Sequence, residues 1–552
     1  MSQVDVRAEI FGLSGIDVSA TSRNTAFHEM GLSSLDTVAL VVRIEDRLEA
    51  SIPYEKLSTV ETLGDLEDLV SEIRRGIETD STAVLNMFAC EDERTARALS
   101  NATTIGQQLE IAVQEHPDLI LRDDRSCITL AEMWHSLDRV REEICTRDAD
   151  APCVIRPAND LQGIAQLLAA LSSGLTPLVL VPSADETNLD ALRQAVAEGN
   201  VPSNTALFLT TGGTTGTPKI IPRSHSSYLQ TAWLTSRNAE LTDSDAYLTA
   251  LSIAHNYALA CPGVLGAILS GASVGVTESR RYQDVVGQIE RHAATVLPVV
   301  PSMPRQWAGH KGQKTSALRL VQVGGSPVIP TDVSTLNRLF SCQVQTSFGM
   351  AEGLLAQSSP EDGDDMRLAG IGRMLSIDDD YRIVDARPDG AGALELRGPY
   401  TITQYIASGE VNATKFTPDG WLRTGDLAVP VDDHRFRVLS RADDMINRGG
   451  ELIDPASVEA LVGSHPSVRG VVVLGRPHPL YEQIVQAVVE LDPGQNSDAV
   501  MQWLRTRYPN ATTLPDALRA VRAIPRTPMG KTDTVALRAE LGFPPSSTPG
   551  KG

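Results

Sequence analysis

The stretch Thr210-Thr211-Gly212-Gly213-Thr214-Thr215-Gly216-Thr217-Pro218-Lys219 follows the strand-like run ALFL at 206–209. Its glycines let the backbone approach a polyanion closely, and its amides and threonine hydroxyls supply hydrogen-bond donors. Lys219 adds a positive charge. The spacing from glycine to lysine differs from that of GxxxxGK[ST] loops. A phosphate-binding loop after a strand is the favoured interpretation, and an ordinary polar loop is the alternative.

Six further stretches follow this loop in order along the chain. They are AHNYALACPG (254–263), VQVGGSP (321–327), FGMAEG (348–353), GWLRTGD (420–426), SRADDMINRGGELI (440–453) and PRTPMGK (525–531). With the loop, this ordered set resembles the signatures of the adenylate-forming superfamily. The segments GGTTGTPKIIPRSH, AHNY and INRGGE are similar to the branch that adenylates salicylate or 2,3-dihydroxybenzoate in siderophore pathways.

The resemblance implies roles in ATP chemistry. Glu352 would be a catalytic residue that ligates Mg²⁺, which prefers carboxylate oxygen, and Lys531 would bridge the substrate carboxylate and the α-phosphate. Asp426, assisted by Arg441, would accept from both ribose hydroxyls, and Asp443 would be the hinge of a mobile C-terminal domain. The other implied ATP-binding residues are Thr210, Thr211, Gly212, Gly213, Thr214, Thr215 and Lys219 at the phosphates, and Gly324, Gly325, Ser326, Phe348 and Gly349 at the adenine.

The stretch at 254–263 implies the pocket for the acid. His255 joins the implied catalytic set, and Asn256 stands where amino-acid-activating relatives carry an aspartate for the α-ammonium. An uncharged amide suits an ortho-hydroxyl, to which it can donate, and leaves an ammonium without a counter-charge. Cys261 and Leu355 have the form typical of salicylate enzymes, because a thiol pairs poorly with a 3-hydroxyl, although Cys261 could also be core filling. The full implied pocket comprises Asn256, Tyr257, Cys261, Ala351 and Leu355.

The first 75 residues predict a separate small domain. They carry 14 acidic and 7 basic residues, with apolar positions at helical spacing. The segment HEMGLSSLD at 28–36 resembles the attachment site of carrier proteins, which are acidic four-helix bundles. Ser34, which opens a helix, would carry covalent 4′-phosphopantetheine. An N-cap serine on an unmodified helical domain is the alternative.

The predicted fold is multidomain. A four-helix-bundle carrier domain at 1–76 and a linker at 77–100 precede a large α/β adenylate-forming N-terminal core at 101–440, shortened at its start. A small mobile α+β C-terminal domain follows at 441–543, and 544–552 form a flexible tail. Strand-like runs at 175–181, 206–211 and 295–300 support the α/β core, and those at 468–475 and 484–491 support the α+β domain.

Charge and composition narrow the function classes. The chain has 552 residues and a formal net charge of −22, which makes it a poor general binder of nucleic acid. It has no continuous apolar span and no basic-then-apolar N-terminus, so we expect no membrane insertion and a cytoplasmic location. The six cysteines form no CxxC pair and no cluster at metal spacing.

The leading hypothesis is an aryl-acid ligase of nonribosomal peptide or polyketide biosynthesis, for a siderophore or an antibiotic. With ATP and Mg²⁺ it would convert salicylate to salicyl-AMP and load a carrier pantetheine, on its own Ser34 or on another chain. Its partners would be the aryl acid, a phosphopantetheinyl transferase and a downstream synthetase. The alternatives are 2,3-dihydroxybenzoate or another substituted benzoate as substrate, an aryl-CoA ligase, and a degenerate adenylation scaffold that presents a carrier.

Overall fold

The backbone divides into two compact units, Met1–Leu85 and Asn86–Gly552. This computed structural model describes residues 6–14, 16–27, 29–30, 32, 40, 44, 60, 62–70, 85–145, 153–182, 189–198, 201–202, 204–210, 219–313, 315, 317–326, 328–359, 362–363, 366–367, 372–406, 409–509, 513–526 and 532–543. Within these ranges, no helix combines the length and apolar character needed to cross a bilayer.

The first unit is helical where it is described. Helix α1 spans Val6–Ser14, and residues 63–70 are also helical. Apolar side chains from both segments share one buried cluster with Leu40 and Ile44, and the members without measurable exposure are Ile10, Leu40, Ile44 and Leu63. The predicted count of four helices and the predicted attachment residue Ser34 both lie outside the described residues.

The second unit alternates helices and strands. Its helices are α2 (Glu93–Ala102), α3 (Ile105–Glu115), α4 (Leu130–Cys145), α5 (Leu161–Ser172), α6 (Leu189–Glu198), α7 (His225–Asn238), α8 (Asn256–Ala260), α9 (Gly263–Leu269), α10 (Tyr282–His292), α11 (Ser302–Trp307), α12 (Pro330–Phe340), α13 (Gly409–Lys415), α14 (Pro455–Gly463), α15 (Ser497–Arg507) and α16 (Thr534–Leu541). Short 3₁₀ turns lie at Met87–Ala89 and Ala442–Asp444.

The strands of this unit form three sheets. They are β1 (Ile120–Arg122), β2 (Cys127–Thr129), β3 (Val154–Ile155), β4 (Leu178–Val179), β5 (Thr205–Thr210), β6 (Ile220–Ser224), β7 (Ala246–Thr249), β8 (Ser273–Val276), β9 (Val296–Val299), β10 (Leu320–Gly324), β11 (Gln343–Gly349), β12 (Leu355–Gln357), β13 (Gly372–Met374), β14 (Asp380–Val384), β15 (Gly392–Arg397), β16 (Leu422–Asp432), β17 (Arg435–Arg441), β18 (Ile446–Arg448), β19 (Glu451–Ile453), β20 (Val468–His478), β21 (Glu482–Leu491) and β22 (Ala517–Val521).

The largest sheet has the order β14-β15-β16-β17-β13-β12-β11-β10-β9-β7-β8-β1-β2. Six neighbouring strands, β11 to β1 in that order, are parallel and are connected through helices, as the α/β prediction requires. The remaining pairs in this sheet are antiparallel. A second sheet, β3-β4-β5-β6, contains the predicted strands at 175–181 and 206–211.

The end of the predicted linker packs with the core. Residues 77–100 were expected to connect two domains, but the second unit begins at Asn86. Helix α2 packs on α7, where Gln230 Nε2 donates to Ser100 Oγ at 3.0 Å and Ser100 Oγ lies 3.0 Å from Ser226 Oγ. Asp92 caps the helix by accepting from the amide of Thr95. The amphipathic helix explains why this part of the segment is not a free linker.

The C-terminal segment forms the third sheet. Strands β19-β18-β21-β20 are antiparallel, and β22 adds to β21 in parallel. The predicted strands at 468–475 and 484–491 lie within β20 and β21, so both predictions are confirmed. Helix α14 packs against β20, and together with α15 it covers an apolar cluster that includes Val458, Val485 and Val500. The placement of a domain boundary at 440/441 stays a prediction, because the second unit is continuous across it.

A buried ion pair lies where this segment meets the core. Arg305 Nε and Nη2 donate to the two carboxylate oxygens of Asp332 at 2.8 and 2.9 Å. The C-terminal segment packs over them, because α11 contacts β20 and α12 contacts α14. Nearby, Glu459 accepts from the amide of Val473 at 3.0 Å. Burial raises the pKa of Glu459 to about 7, and the charge of Arg305 opposes that rise.

Candidate functional site

The two ends of the glycine-rich loop are paired in a sheet. Thr210 ends β5, Ile220 begins β6, and the two residues are partners in the antiparallel ladder. An isolated bridge also joins Ile220 to Ile406. The predicted phosphate ligands Thr211, Gly212, Gly213, Thr214 and Thr215 lie outside the described residues. The ladder therefore fixes where the loop starts and ends.

Lys219, at the end of this loop, faces a small cluster of charged and aromatic groups. Its Nζ lies 5.2 Å from the centroid of the Tyr405 ring, within cation–π range. Burial lowers the pKa of Lys219, and the positive charges of Lys415 and Arg441 lower it further, while Glu352 opposes them. Three cations, Lys219, Lys415 and Arg441, therefore lie near two carboxylates, Glu352 and Asp426, and the excess positive charge suits a polyphosphate.

Glu352 lies at the centre of this cluster. It is 9% exposed, and its Oε1 accepts a 2.7 Å hydrogen bond from the Tyr405 hydroxyl. The carbonyl of Glu352 accepts from the amide of Ile402 at 2.8 Å. Burial and the negative charge of Glu352 both raise the pKa of Tyr405, so the phenol stays protonated and donates. Tyr405 therefore orients the carboxylate that the sequence assigns to Mg²⁺.

The residues present fit a magnesium ion. Mg²⁺ commonly takes one or two protein carboxylates and completes its shell with water and substrate phosphates. Glu352 supplies a buried and oriented carboxylate beside the phosphate-loop lysine, and no group of three or more potential ligand side chains gathers in the described ranges. The single carboxylate therefore suits a metal delivered with ATP, where the ion would neutralise phosphate charge.

Asp426 and Arg441 face each other across two strands. Asp426 is 6% exposed and is the ladder partner of Arg441 in the β16–β17 pair. Arg441 Nε lies 3.5 Å from Asp426 Oδ1, and Thr424 Oγ1 accepts from the Asp426 amide at 2.9 Å. Burial raises the pKa of Asp426, and Arg441 opposes that rise. Gly425 beside them adopts φ +82° and approaches Arg441 closely.

The predicted adenine-flanking residues lie at the carboxyl ends of two adjacent parallel strands. Gly324 ends β10, and the register pairs it with Ser347 of β11. A Cβ at Gly324 would lie 2.5 Å from the Ser347 carbonyl oxygen, so only glycine fits there. Gly325 and Ser326 follow directly. Phe348 and Gly349 end β11, and the Phe348 ring meets Phe436 edge-on with ring centroids 5.6 Å apart.

The predicted acid pocket is buried and carries no carboxylate of its own. Asn256 is 7% exposed and Cys261 1%, and Asn256 Nδ2 lies 3.4 Å from the Cys261 sulfur. Burial raises the pKa of Cys261 to about 12, so it remains a neutral thiol. The Asn256 Oδ1 atom is buried without a partner among the described residues. This amide therefore presents an acceptor, and an ortho-hydroxyl would donate to it.

The other predicted pocket residues lie on two further segments. His255 caps α8, with its Nδ1 3.4 Å from the Tyr257 amide nitrogen, and Tyr257 is buried beside it. Leu355 begins β12 and packs on Gly349, where a Cβ would lie 2.3 Å from Leu355 Cδ2. Ala351 directly precedes Glu352. The turn between β11 and β12 thus joins the predicted acid and magnesium residues.

Some of the predicted site residues lie outside the described part of the chain, and some residues that contact the site were not predicted from the sequence. Lys531 lies outside the described residues, as does the side chain of Asp443, whose backbone forms the 3₁₀ turn after β17. Sequence reasoning missed Tyr405, Lys415 and Arg223, which all contact or face the cluster. Tyr405 lies in the segment PYTITQY and Arg223 in the quoted IIPRSH, but only the fold brings them near Glu352.

We expect Tyr405→Phe to weaken the use of MgATP. Loss of a hydrogen bond to a charged group costs about 1.5–3 kcal/mol, so kcat/KM for MgATP should fall about tenfold or more. Pyrophosphate exchange at varied Mg²⁺ measures this effect, and the Mg²⁺ requirement should rise. Tyr381→Phe is the matched control, because its hydroxyl donates only to carbonyls of Asp432 and Arg435. Equal behaviour of the two variants would contradict the assignment of Tyr405.

The fold and this cluster define an adenylate-forming enzyme, and comparison with protein families agrees. Residues 113–406 match the model described as AMP-binding enzyme, residues 457–531 match the AMP-binding enzyme C-terminal domain, and residues 5–70 match the phosphopantetheine attachment site. The first match covers more than half of the chain, so the chain belongs to the AMP-binding enzyme family. Its architecture is a carrier domain, a large α/β core and a small C-terminal domain.

Among curated relatives, the chain is similar to triostin synthetase I of Streptomyces triostinicus, with 38% identity over 61% of this chain and 65% of that protein. It is also similar to a salicyl-AMP ligase / salicyl-S-ArCP synthetase of Mycobacterium tuberculosis, with 37% identity over 62% of each chain. The match thus spans less than two thirds of these relatives. The solved apo structure of MbtA from Mycobacterium smegmatis has 28% identity and a TM-score of 0.57, over 79% of this chain and 94% of that chain.

Proposed function

We propose that the chain converts an aryl carboxylic acid, with salicylate as the preferred substrate, to its acyl-adenylate. It then transfers the acyl group to the pantetheine thiol of a carrier. ATP and Mg²⁺ would be the cofactors of the first step, and 4′-phosphopantetheine on Ser34 that of the second. Glu352 would hold the metal, Asp426 the ribose, and Lys531 the reacting carboxylate and α-phosphate. The similarity to a salicyl-AMP ligase supports this choice of substrate class.

The observation that carries the proposal is the buried and uncharged character of Asn256 and Cys261, two residues of the predicted acid pocket. Its polar lining offers the Asn256 Oδ1 acceptor and the neutral Cys261 thiol. An ammonium in such a pocket would lack a counter-charge, which is costly. A hydroxyl ortho to the carboxylate would instead donate to Asn256. This arrangement favours an o-hydroxy aryl acid over an amino acid.

Two substitution steps would follow. A carboxylate oxygen attacks the α-phosphorus of ATP, the bond to the β-phosphate oxygen breaks, and pyrophosphate leaves. The pantetheine sulfur then attacks the acyl carbon, its proton passes to solvent, and AMP leaves with the electron pair of the broken C–O bond. Lys219, Lys415 and Arg441 would stabilise the phosphate charge in the first step. Rotation of the C-terminal domain about Asp443 would switch the enzyme from the first step to the second.

The carrier role requires further partners, which we also propose. A phosphopantetheinyl transferase would modify Ser34, within a four-helix bundle, and a downstream nonribosomal peptide or polyketide synthetase would take the acyl group. The acceptor would be this chain's own Ser34 or the carrier of another chain. These steps fit a cytoplasmic enzyme of siderophore or antibiotic biosynthesis. One alternative function is an aryl-CoA ligase, whose acceptor is the free thiol of coenzyme A. The other is a degenerate adenylation scaffold that presents a carrier and has no catalytic activity.

Pyrophosphate exchange across a benzoate panel tests the substrate. Salicylate should exceed 2,3-dihydroxybenzoate about fivefold or more in kcat/KM, because a 3-hydroxyl stranded at Cys261 costs about 1–3 kcal/mol. Anthranilate should also be poorer, since its amine hydrogen-bonds less strongly to Asn256. Preference for 2,3-dihydroxybenzoate would overturn the interpretation of Cys261 and Leu355. If no acid supported exchange, the degenerate adenylation scaffold would be the remaining interpretation.

Mass spectrometry of the pantetheinylated chain tests the loading step. After incubation with salicylate and MgATP, we expect a salicyl thioester on the segment that contains Ser34. Ser34→Ala should abolish the adduct while pyrophosphate exchange stays within about twofold, because adenylation precedes thiol attack. Ser33→Ala is the matched control and should keep the adduct. Salicyl transfer to coenzyme A but not to the carrier would favour the CoA ligase.

A further inference from the structure

Arg223 is a completely buried cation without a carboxylate partner. It lies in β6, just after the glycine-rich loop, and has no measurable exposure. Its Nη1 donates to the Ala351 carbonyl at 2.7 Å, and its Nη2 to the Thr231 hydroxyl at 2.8 Å and the Tyr400 carbonyl at 3.3 Å. Ser227 accepts the remaining bonds. No carboxylate of the described residues lies within ion-pair distance of Arg223.

This arrangement differs from that of the other strongly buried arginine. Arg305 is paired with both oxygens of Asp332, whereas every direct acceptor of Arg223 is neutral. Burial lowers the pKa of Arg223, yet guanidinium stays protonated in proteins. A buried charge without a countercharge is destabilising. A purely structural role could be filled by a neutral donor at lower cost.

The guanidinium of Arg223 contacts the predicted acid pocket at Ala351. Ala351 directly precedes Glu352, and the second carbonyl partner, Tyr400, lies in the same segment as Tyr405. Glu352 and Cys261 both interact electrostatically with the guanidinium. The side chain therefore connects the β11–β12 turn with strand β6 and lies near Cys261.

We propose that Arg223 is a positioning and specificity-determining residue that fixes the Ala351–Glu352 turn and makes the acid pocket electropositive. The pocket would thereby favour a carboxylate anion and reject acids that carry an ammonium group. This inference rests on the proposed activation of a carboxylic acid. It adds a buried positive charge to the neutral side chains of Asn256 and Cys261.

The test compares a charged ligand with its neutral analogue. Calorimetric titration of the full chain with salicylate and with salicylamide separates the charge of the carboxylate from the shape of the ring. In Arg223→Gln, affinity for salicylate should fall at least tenfold, while affinity for salicylamide should change less than threefold. Arg223→Lys keeps the charge and should restore most of the salicylate preference. Arg237→Gln, an exposed arginine on α7, is the matched control and should behave as wild type.

Equal losses for both ligands in Arg223→Gln, or no loss, would overturn the electrostatic role. If Arg223→Gln does not fold, the wild-type chain still decides the question. It should activate 2-(hydroxymethyl)benzoate, whose ring substituent is neutral, at least a hundredfold better than 2-(aminomethyl)benzoate, whose ring substituent is an ammonium, in pyrophosphate exchange, and a ratio below threefold overturns the proposal. Activation of a carboxylic acid that is not a benzoate would overturn the proposed substrate class but not the role of Arg223. The titrations of Arg223→Gln would then compare that acid with its amide. A wild-type chain that activates no carboxylate overturns both.

Discussion

Asp426→Ala should reduce kcat/KM for ATP at least a hundredfold. Asp426 is proposed to accept from both ribose hydroxyls, and each hydrogen bond to a charged group contributes about 1.5–3 kcal/mol. The loss should appear in ATP use and much less in the affinity for salicylate, because the two predicted sites lie on different segments. Pyrophosphate exchange with ATP varied at saturating acid, together with titration of salicylate alone, separates these effects.

The fold should survive this substitution. The Arg441 side chain is 52% exposed, so loss of Asp426 leaves a hydrated arginine rather than a buried charge. Asp432→Ala is the matched control, because Asp432 ends the same strand and pairs with Arg435 at the surface; such exposed pairs contribute about 0–1 kcal/mol. A threefold or smaller change in Asp426→Ala would remove the ribose assignment.

Arg305→Leu should destabilise the second unit by about 3–5 kcal/mol, the usual effect of breaking a buried ion pair from one side. The side chain of Asp332 has no measurable exposure, so its carboxylate would be left uncompensated between α12 and the C-terminal segment. Urea denaturation measures the effect, and Trp307, buried on the same helix, is a fluorescent reporter close to the pair.

The double variant Arg305→Leu/Asp332→Asn separates charge from packing. Asparagine retains an acceptor for the Ile329 amide, which donates to Asp332 at 3.0 Å, and it removes the stranded charge. The double variant should therefore be more stable than Arg305→Leu alone. Arg139→Leu is the exposed control, because its pair with Glu143 is highly hydrated, and we expect a change below about 1 kcal/mol. Comparable losses in Arg139→Leu and Arg305→Leu would refute the argument.

The sequence predicted the α/β core and several strands because their signals are local. The runs that became β5, β9, β20 and β21 are rich in β-branched and other apolar residues, and burial on the sheet requires such a pattern. The α/β core followed from an ordered set of motifs rather than from any single one. The segment from 86 to 100 was misjudged as linker because α2 is polar on one face, and only its packing on α7 shows that it belongs to the core.

The missed residues share a different physical cause. Tyr405 is 53 residues from Glu352, and Arg223 is 128 residues from Ala351. Such contacts depend on how separate segments meet, and a lone tyrosine or arginine in the sequence carries no sign of its partner. The orientation of the Asn256 amide was also beyond the sequence. From the sequence, we expect this amide to donate to an ortho-hydroxyl. In the structure its nitrogen instead lies next to Cys261, and its oxygen is left as an acceptor.

The pairing of Thr210 with Ile220 has a consequence for the thermodynamics of nucleotide capture. Closing a loop costs entropy because its two ends must be brought together. Here the β5–β6 ladder brings the ends together during folding. Binding of a phosphate then does not have to bring these two ends together. Ile220 also bridges to Ile406, which directly follows Tyr405. One isoleucine therefore joins the base of the loop to the segment that carries the tyrosine bound to Glu352.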